Sequence, residues 1–197
     1  MTTIDDLLKR LAEVQEEIQL ELDRRREGFR FVVEQKRIRF AEEVVAIQRR
    51  SKQGLFRYVF SASLATWLTI PVIYSVLVPM AILDVFLWFY QTLAFPVYKI
   101  PKVRRRDYIV LDRGDLPYLN VAERLNCAYC GYANGLASYF REITARTEQY
   151  WCPIKHSRRI IAAHEYYPNF FEFGDAESYR LGLERLRQQL AEIERHK

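Results

Sequence analysis

The apolar and polar positions along this chain change their pattern several times, and each change predicts an element. Ile4, Leu7, Leu11, Val14, Ile18 and Leu22 recur three or four residues apart. That spacing puts them on one stripe of a helix, with Glu and Gln elsewhere. The pattern falters at Asp23-Arg24-Arg25-Arg26-Glu27-Gly28, then resumes as Phe29, Val33, Lys36, Phe40, Val44 and Ile47. No proline precedes Pro71, so residues 1–57 are expected to form one long amphipathic, coiled-coil-like helix with a stutter near Gly28.

Residues 58–98 break the amphipathic pattern: in these 41 residues Asp84 is the only charge. As one helix they would reach roughly 61 Å, about twice the hydrocarbon thickness of a bilayer. Two spans joined by a turn at Val78-Pro79-Met80 fit that length, at about 58–77 and 81–98, because proline removes a backbone donor and favours a turn. Asp84 then lies one turn inside the second span, near the headgroups, where a carboxylate reaches water at little cost. A proton or ion site within the membrane is the sharper alternative for it. Pro71 is expected to kink the first span, and Pro96 to lie near the end of the second.

After the apolar stretch, Asp107–Leu111 suggests a short strand that ends in the turn Asp112-Arg-Gly-Asp115. Leu136, Phe140, Ile143, Thr147 and Tyr150 share one helical face. Tyr166, Tyr167, Phe170, Phe171 and Phe173 form an aromatic cluster, read as core packing or as a platform on headgroups. Residues 175–197 close the chain with Tyr179, Leu183, Leu186, Leu190 and Ile193 on one stripe, capped by Asp175 or Ser178. This helix could pair with the N-terminal arm of the same chain or of a neighbour.

Charge sharpens the picture. The net charge of +5 over 197 residues averages over unlike parts: residues 1–57 carry 13 basic and 11 acidic groups, and 99–126 carry seven and four. Arg49, Arg50, Lys52 and Arg57 precede the apolar stretch; Lys99, Lys102 and Arg104–Arg106 follow it. Basic flanks stay on the cytosolic side, so an integral membrane protein with both termini cytosolic is expected, at the inner or plasma membrane in a bacterium. Arg104–Arg106 reads as an anchor at anionic headgroups. Residues 1–30 have no apolar core of the kind a cleavable signal peptide needs. Arg24–Arg26 is flanked by acids, and no base-reading fold is evident, so nucleic acid is not expected as a partner.

The chemistry lies in the cysteines. Cys127 and Cys130 form C-x2-C followed by Gly131, the shape of a metal knuckle in which glycine relieves the tight turn. Cys152, the third and last cysteine, is followed by Pro153, and His156 completes C-x3-H. Two ligand pairs joined by a short helix suit a tetrahedral Cys3His zinc site, and a cytosolic position disfavours a disulfide. Iron or an iron–sulfur cluster on the same four residues is the alternative. His164 competes with His156 for the fourth position. Gly131 after Cys130 disfavours c-type haem, and no βαβ pattern supports thioredoxin-like chemistry. No hydrolase, phosphate-loop or zinc-protease motif is present.

The layout of a helical arm, a two-span hairpin and then a Cys-rich knuckle resembles the lunapark membrane-shaping proteins in outline. At residue level the likeness covers Cys127-Ala-Tyr-Cys130 and Asn134. The chain departs from the pattern with Cys152-x3-His156 where a second C-x2-C would stand. The likeness is one of architecture.

Together these readings predict a mostly α fold. Its parts are a helical arm (1–57), a transmembrane helical hairpin (58–98), a small zinc-knuckle-type cytosolic domain (99–174) and a C-terminal amphipathic helix (175–197). The expected function is a non-enzymatic membrane scaffold or accessory subunit. Its partners would be membrane lipids and proteins held through the helical arms, and the chain is expected in a homo-oligomer or larger complex. An iron or iron–sulfur electron-transfer subunit is the alternative, and transport through Asp84 a third reading.

Overall fold

The computed structural model describes residues 4–27, 31–34, 37–40 and 42–192, and most of these are helical. The chain divides into two compact units, Met1–Ser61 with Asp112–Cys127, and Ala62–Leu111 with Ala128–Lys197.

In the first unit, α1 (Ile4–Glu27) carries the expected apolar stripe, with Leu7, Leu11, Val14 and Ile18 all exposed. The expected helix over 1–57 is not continuous. β1 (Phe31–Glu34) and β2 (Arg37–Phe40) pair antiparallel, Phe31 opposite Phe40 and Glu34 opposite Arg37. The reason is local: Phe31, Val32, Val33, Ile38 and Phe40 are aromatic or β-branched residues that favour strands. In β2, Arg37 and Arg39 alternate with Ile38 and Phe40, the period of a strand, which the three-and-four spacing through Val33 and Phe40 passes over. Gly28, Phe29 and Lys36 lie outside the described residues. Two short helices follow, α2 (Glu42–Arg50) and α3 (Leu55–Phe60).

The start of a long helix, α7 (Val121–Trp151), belongs to this unit. Asn120 and Glu123 form a capping box: the Asn120 side chain accepts from the Glu123 N–H at 3.0 Å, and the Glu123 carboxylate accepts from the Asn120 N–H at 2.8 Å. Asn120 Nδ2 also donates to the Gln53 carbonyl at 3.4 Å, and Asn126 donates to the Tyr58 hydroxyl at 3.2 Å.

In the second unit, the apolar stretch forms α4 (Leu64–Ser75) and α5 (Leu77–Tyr98). Ser63 caps α4 by accepting from the Thr66 N–H at 3.2 Å. The expected reversal at Val78-Pro79-Met80 does not occur. These residues sit in the first turn of α5, and the joint at Val76 keeps right-handed helical dihedrals. Pro79 occupies a position whose N–H needs no helical partner, so proline interrupts the hydrogen-bond ladder there without turning the chain back. Leu64–Tyr98 is one stretch of 35 residues, long and apolar enough to cross a membrane. Pro71 and Pro96 both lie inside their helices.

α5 ends on Lys99, held in the left-handed conformation at φ 55°. The Ile100 N–H bonds back to the Phe95 carbonyl at 2.9 Å, and the Lys99 N–H bonds to that of Pro96 at 3.3 Å. This is a Schellman-type end with its apolar contact between Ile100 and Phe95, both buried. From there residues 99–111 return along α5. In place of the expected strand at Asp107–Leu111, this return segment contains one helical turn, α6 (Arg105–Tyr108); the expected turn at Asp112–Asp115 is a 3-10 helix.

α7 lies beside α5 and runs in the same direction: Asp84 meets Tyr132, Gln91 meets Tyr139, and Tyr98 stacks obliquely on Tyr150. Leu87, Phe95, Leu136, Tyr139 and Ile143 form the core between them, with Ile100 and Val103 of the return segment. α8 (Ala176–Glu192) is capped by Asp175, which accepts from the Ser178 N–H at 3.0 Å, as the sequence suggests. It packs on its own chain: Leu186 and Leu190 are buried, Gln149 donates to the Leu186 carbonyl, and Arg187 lies over the Tyr150 ring. Ile193, the last position of its stripe, lies outside the described residues.

Candidate functional site

Two of the four expected metal ligands, Cys127 and Cys130, lie one turn apart on α7. That helix runs unbroken to Trp151, and the Cys152 N–H closes its last bond, to Glu148, at 2.9 Å. The 21 helical residues between Cys130 and Cys152 hold those thiols roughly 30 Å apart along the axis. The chain therefore does not bring the two ligand pairs together. Among the described residues, no group of three or more His, Cys, Asp or Glu is gathered closely enough to hold a metal ion. Gly131 relieves no knuckle turn here. Gly131 and Gly135 sit one turn apart and face the backbone of the return segment: a Cβ on Gly135 would lie 2.6 Å from the Tyr108 carbonyl oxygen, and one on Gly131 3.3 Å from that of Val110. Two glycines inside a helix cost stability, roughly 1 kcal/mol each, and here they let a second backbone approach.

That approach completes a set of polar contacts on α5. Asp84 accepts a two-pronged ion pair from Arg105, with Nε 3.0 Å from Oδ1 and Nη2 2.6 Å from Oδ2, and the Tyr132 hydroxyl donates to Oδ2 at 3.0 Å. Two turns further along the same face, Gln91 is buried. It accepts from the Val103 N–H at 2.6 Å and donates to the Tyr139 hydroxyl at 2.5 Å. Arg105 holds its proton more tightly than a free guanidinium because of the Asp84 contact, and burial raises the Tyr132 and Tyr139 hydroxyl pKa values. Asp84 and Gln91 thus each have their partners within the chain. Arg105, one of three residues expected at headgroups, is tied to Asp84, while Arg104 and Arg106 remain exposed.

Past Trp151, a second network fixes residues 152–173 on α7. Arg146, buried, donates to Glu142 at 2.8 Å and to the Pro101 carbonyl at 2.7 Å, and the Tyr166 hydroxyl donates to the same Glu142 oxygen at 2.6 Å. Burial, then Glu142, pushes the Tyr166 pKa far above 10. His164 Nε2 lies 2.9 Å from Glu148, and the ring is surrounded by Tyr166, Tyr167 and Phe170. Its Nδ1 is buried with no hydrogen-bond partner. His156 is exposed; its backbone N–H donates to the Tyr167 hydroxyl at 2.7 Å, and its ring stacks on Tyr167. The expected aromatic cluster is therefore largely a packing element around the two histidines. Phe173, by contrast, is exposed.

The other side of α5 has no such cover. Ile82, Val85, Phe86, Phe89, Leu93 and Val97 are exposed, and no residue of α4 is buried. Between α5 and α7 an apolar groove of about 600 Å³ opens, lined by Phe86, Tyr90, Phe140, Trp151 and, at one end, Glu148 and Cys152. Burial and the neighbouring Glu148 charge raise the Cys152 thiol pKa.

Sequence patterns passed over Gln91, Tyr132, Tyr139, Glu142 and Arg146. One signal was available: Gln91 follows Asp84 by seven residues, so the one charge and the one amide of α5 share a face. No protein-family model matches the sequence, and comparison with curated proteins and with solved structures gives no match either.

Proposed function

We propose that the protein is a non-enzymatic, membrane-anchored scaffold or accessory subunit. In this reading the apolar side of α4–α5 sits in lipid, and the α1 arm and the helical body hold partners at the membrane surface. One observation carries it: the most apolar 18-residue window of Leu64–Tyr98 is only 6% buried by the protein. A helix this apolar in a water-soluble fold would hide most of its surface. The one charge and one amide of this stretch, Asp84 and Gln91, turn inward to partners, and the Thr69 and Ser75 hydroxyls bond back to the Thr66 and Val72 carbonyls, as lipid requires.

Basic clusters on both flanks favour keeping both ends of the stretch in the cytosol. Because α4–α5 does not turn back, both ends stay on that side only if the helix lies along the cytosolic leaflet, its apolar side in lipid, instead of crossing the bilayer. Exposed Lys99, Lys102, Arg104 and Arg106 would meet anionic headgroups.

The test is alkaline carbonate extraction of membranes from cells making the tagged protein, followed by protease treatment of sealed vesicles. The protein is expected in the pellet, with tags at both ends cleaved from the cytosolic side. Release by carbonate would overturn the anchor, and protection of one tag would overturn the same-face topology.

A further inference from the structure

We infer that α1 is the contact surface for a second copy of this chain and that the two α1 helices pair antiparallel. α1 is 24 residues long, and Leu7, Leu11, Val14 and Ile18 are each 50 to 55% exposed. A helix with such a stripe is marginal alone and needs a partner for its apolar face.

The charges select the partner and its direction. With Leu11 and Ile18 at a positions and Leu7 and Val14 at d, Arg10 and Glu17 take the flanking g positions, and Glu21 and Arg25 the next d and a. A parallel in-register pair would stack Glu21 on Glu21 and Arg25 on Arg25, and would set Arg10 against Gln15 and Glu17 against Leu22. Nothing in it would pair opposite charges between chains.

An antiparallel pair centred between Ala12 and Glu13 behaves differently. Leu7 meets Ile18 and Leu11 meets Val14 of the second copy, each twice by symmetry. Arg10 then faces Glu17 of the second copy, also twice. Sliding the pair by one heptad brings either Arg10 or Glu17 against its own copy, and in the second case sets Glu21 against Leu11 and Arg25 against Leu7. In the central register Glu21 meets only the Ile4 position at each end, so this register pairs the charges and keeps the four inner layers apolar. Within each helix Glu21 and Arg25 already pair with one another, at 3.1 Å, which closes the seam at that end.

The inference rests on the scaffold reading only in taking α1 as a binding arm; it needs no membrane. The experiment uses the full-length protein in mild detergent, with mass measured by light scattering across a concentration series. Wild type is expected to dimerise. Arg10→Glu and Glu17→Arg should each weaken the dimer at least tenfold, and the double variant should recover it, because the swap restores both pairs. In a background with the three native cysteines replaced by serine, a Leu7→Cys chain mixed with an Ile18→Cys chain should form the mixed disulfide on oxidation.

Monomer at all concentrations, including a monomer that joins only a different protein, would overturn the inference. So would a dimer indifferent to charge reversal, or a Leu7→Cys chain that couples to itself. Carbonate extraction of the Arg10→Glu variant should match wild type, so failure here and failure of the anchor remain distinguishable.

Discussion

Asp84 and Arg105, 21 residues apart in sequence, form a two-pronged ion pair whose shortest contact is 2.6 Å. The carboxylate is largely sheltered and the guanidinium about half exposed. Removing one partner strands a charge on an apolar helix, while removing both removes the conflict. Arg105→Gln and Asp84→Asn should each cost about 1–2 kcal/mol, a figure lowered from the buried-pair range for the exposure of Arg105. The double variant should cost less than the sum. Thermal unfolding of the four proteins in one detergent measures the cycle. Additive losses would show that the pair contributes nothing, and loss of cellular function in a stable Asp84→Asn variant would return Asp84 to the list of ion sites.

Gly135 has the least room of the glycines on α7. A methyl group there would press on the backbone of Tyr108 and Ile109, at 2.6 and 2.9 Å. Gly135→Ala should therefore destabilise by about 2–3 kcal/mol despite the gain in helix propensity. Gly131→Ala, with its nearest contacts at 3.3 Å, should change stability by less than about 1 kcal/mol. Equal effects at the two positions would mean that residues 108–111 do not approach Gly135 more closely than Gly131.

Cys152 tests the helix against the knuckle. With α7 holding the cysteines apart, Cys130→Ser and Cys152→Ser should each leave the unfolding temperature within a few degrees of wild type. Protein purified without oxygen should carry no stoichiometric zinc or iron by elemental analysis. One metal per chain, lost in either variant, would contradict this. Glu148 offers a finer probe: because its charge adds to burial in raising the Cys152 thiol, Glu148→Gln should increase the rate of Cys152 alkylation near pH 8. Mass spectrometry of the peptide reads the rate.

Tyr166 sets an alkaline limit. Its hydroxyl pKa is raised above the ordinary 10.0, so the folded chain holds this proton more tightly than the unfolded one. The sign follows from linkage: the stabilisation is complete below about pH 10 and is lost as pH rises through the folded value. Unfolding midpoints should fall above pH 10, and Tyr166→Phe, less stable at pH 8, should show a shallower fall. Equal slopes would mean that the buried Tyr166 hydroxyl and its bond to Glu142 do not set the alkaline limit.

Much of this architecture can be read from local patterns, and the parts that cannot have a common cause. The stripe of α8 and its Asp175 cap are decided within a few residues. So are the apolar stretch and the stripe of α1. Gly131 is different, because the same residue suits a tight turn after Cys130 or a close approach to another backbone, and only the path of residues 99–111 decides. The Asn120–Glu123 capping box marks the true start of α7, yet C-x2-C-Gly a few residues later suggests a turn. Asp84 announces that a lone charge in an apolar helix needs a partner. Nothing near it says that the partner is Arg105, because that pairing depends on the reversal at Lys99. As for the candidate site, the two short cysteine motifs are plain in the sequence. Their separation is a property of helix length.

The glycine groove and the two-partner bond of Gln91 also impose an order in time. Gln91 is made 12 residues before Val103 and 48 before Tyr139, and Asp84 waits equally long for Tyr132. During synthesis, the helix that carries the chain's most lipid-like surface is finished first, with two polar groups bare. α7 supplies the missing half later. A ribosome therefore releases α5 as an incomplete element, and its pairing with α7 is a late event in the birth of the protein.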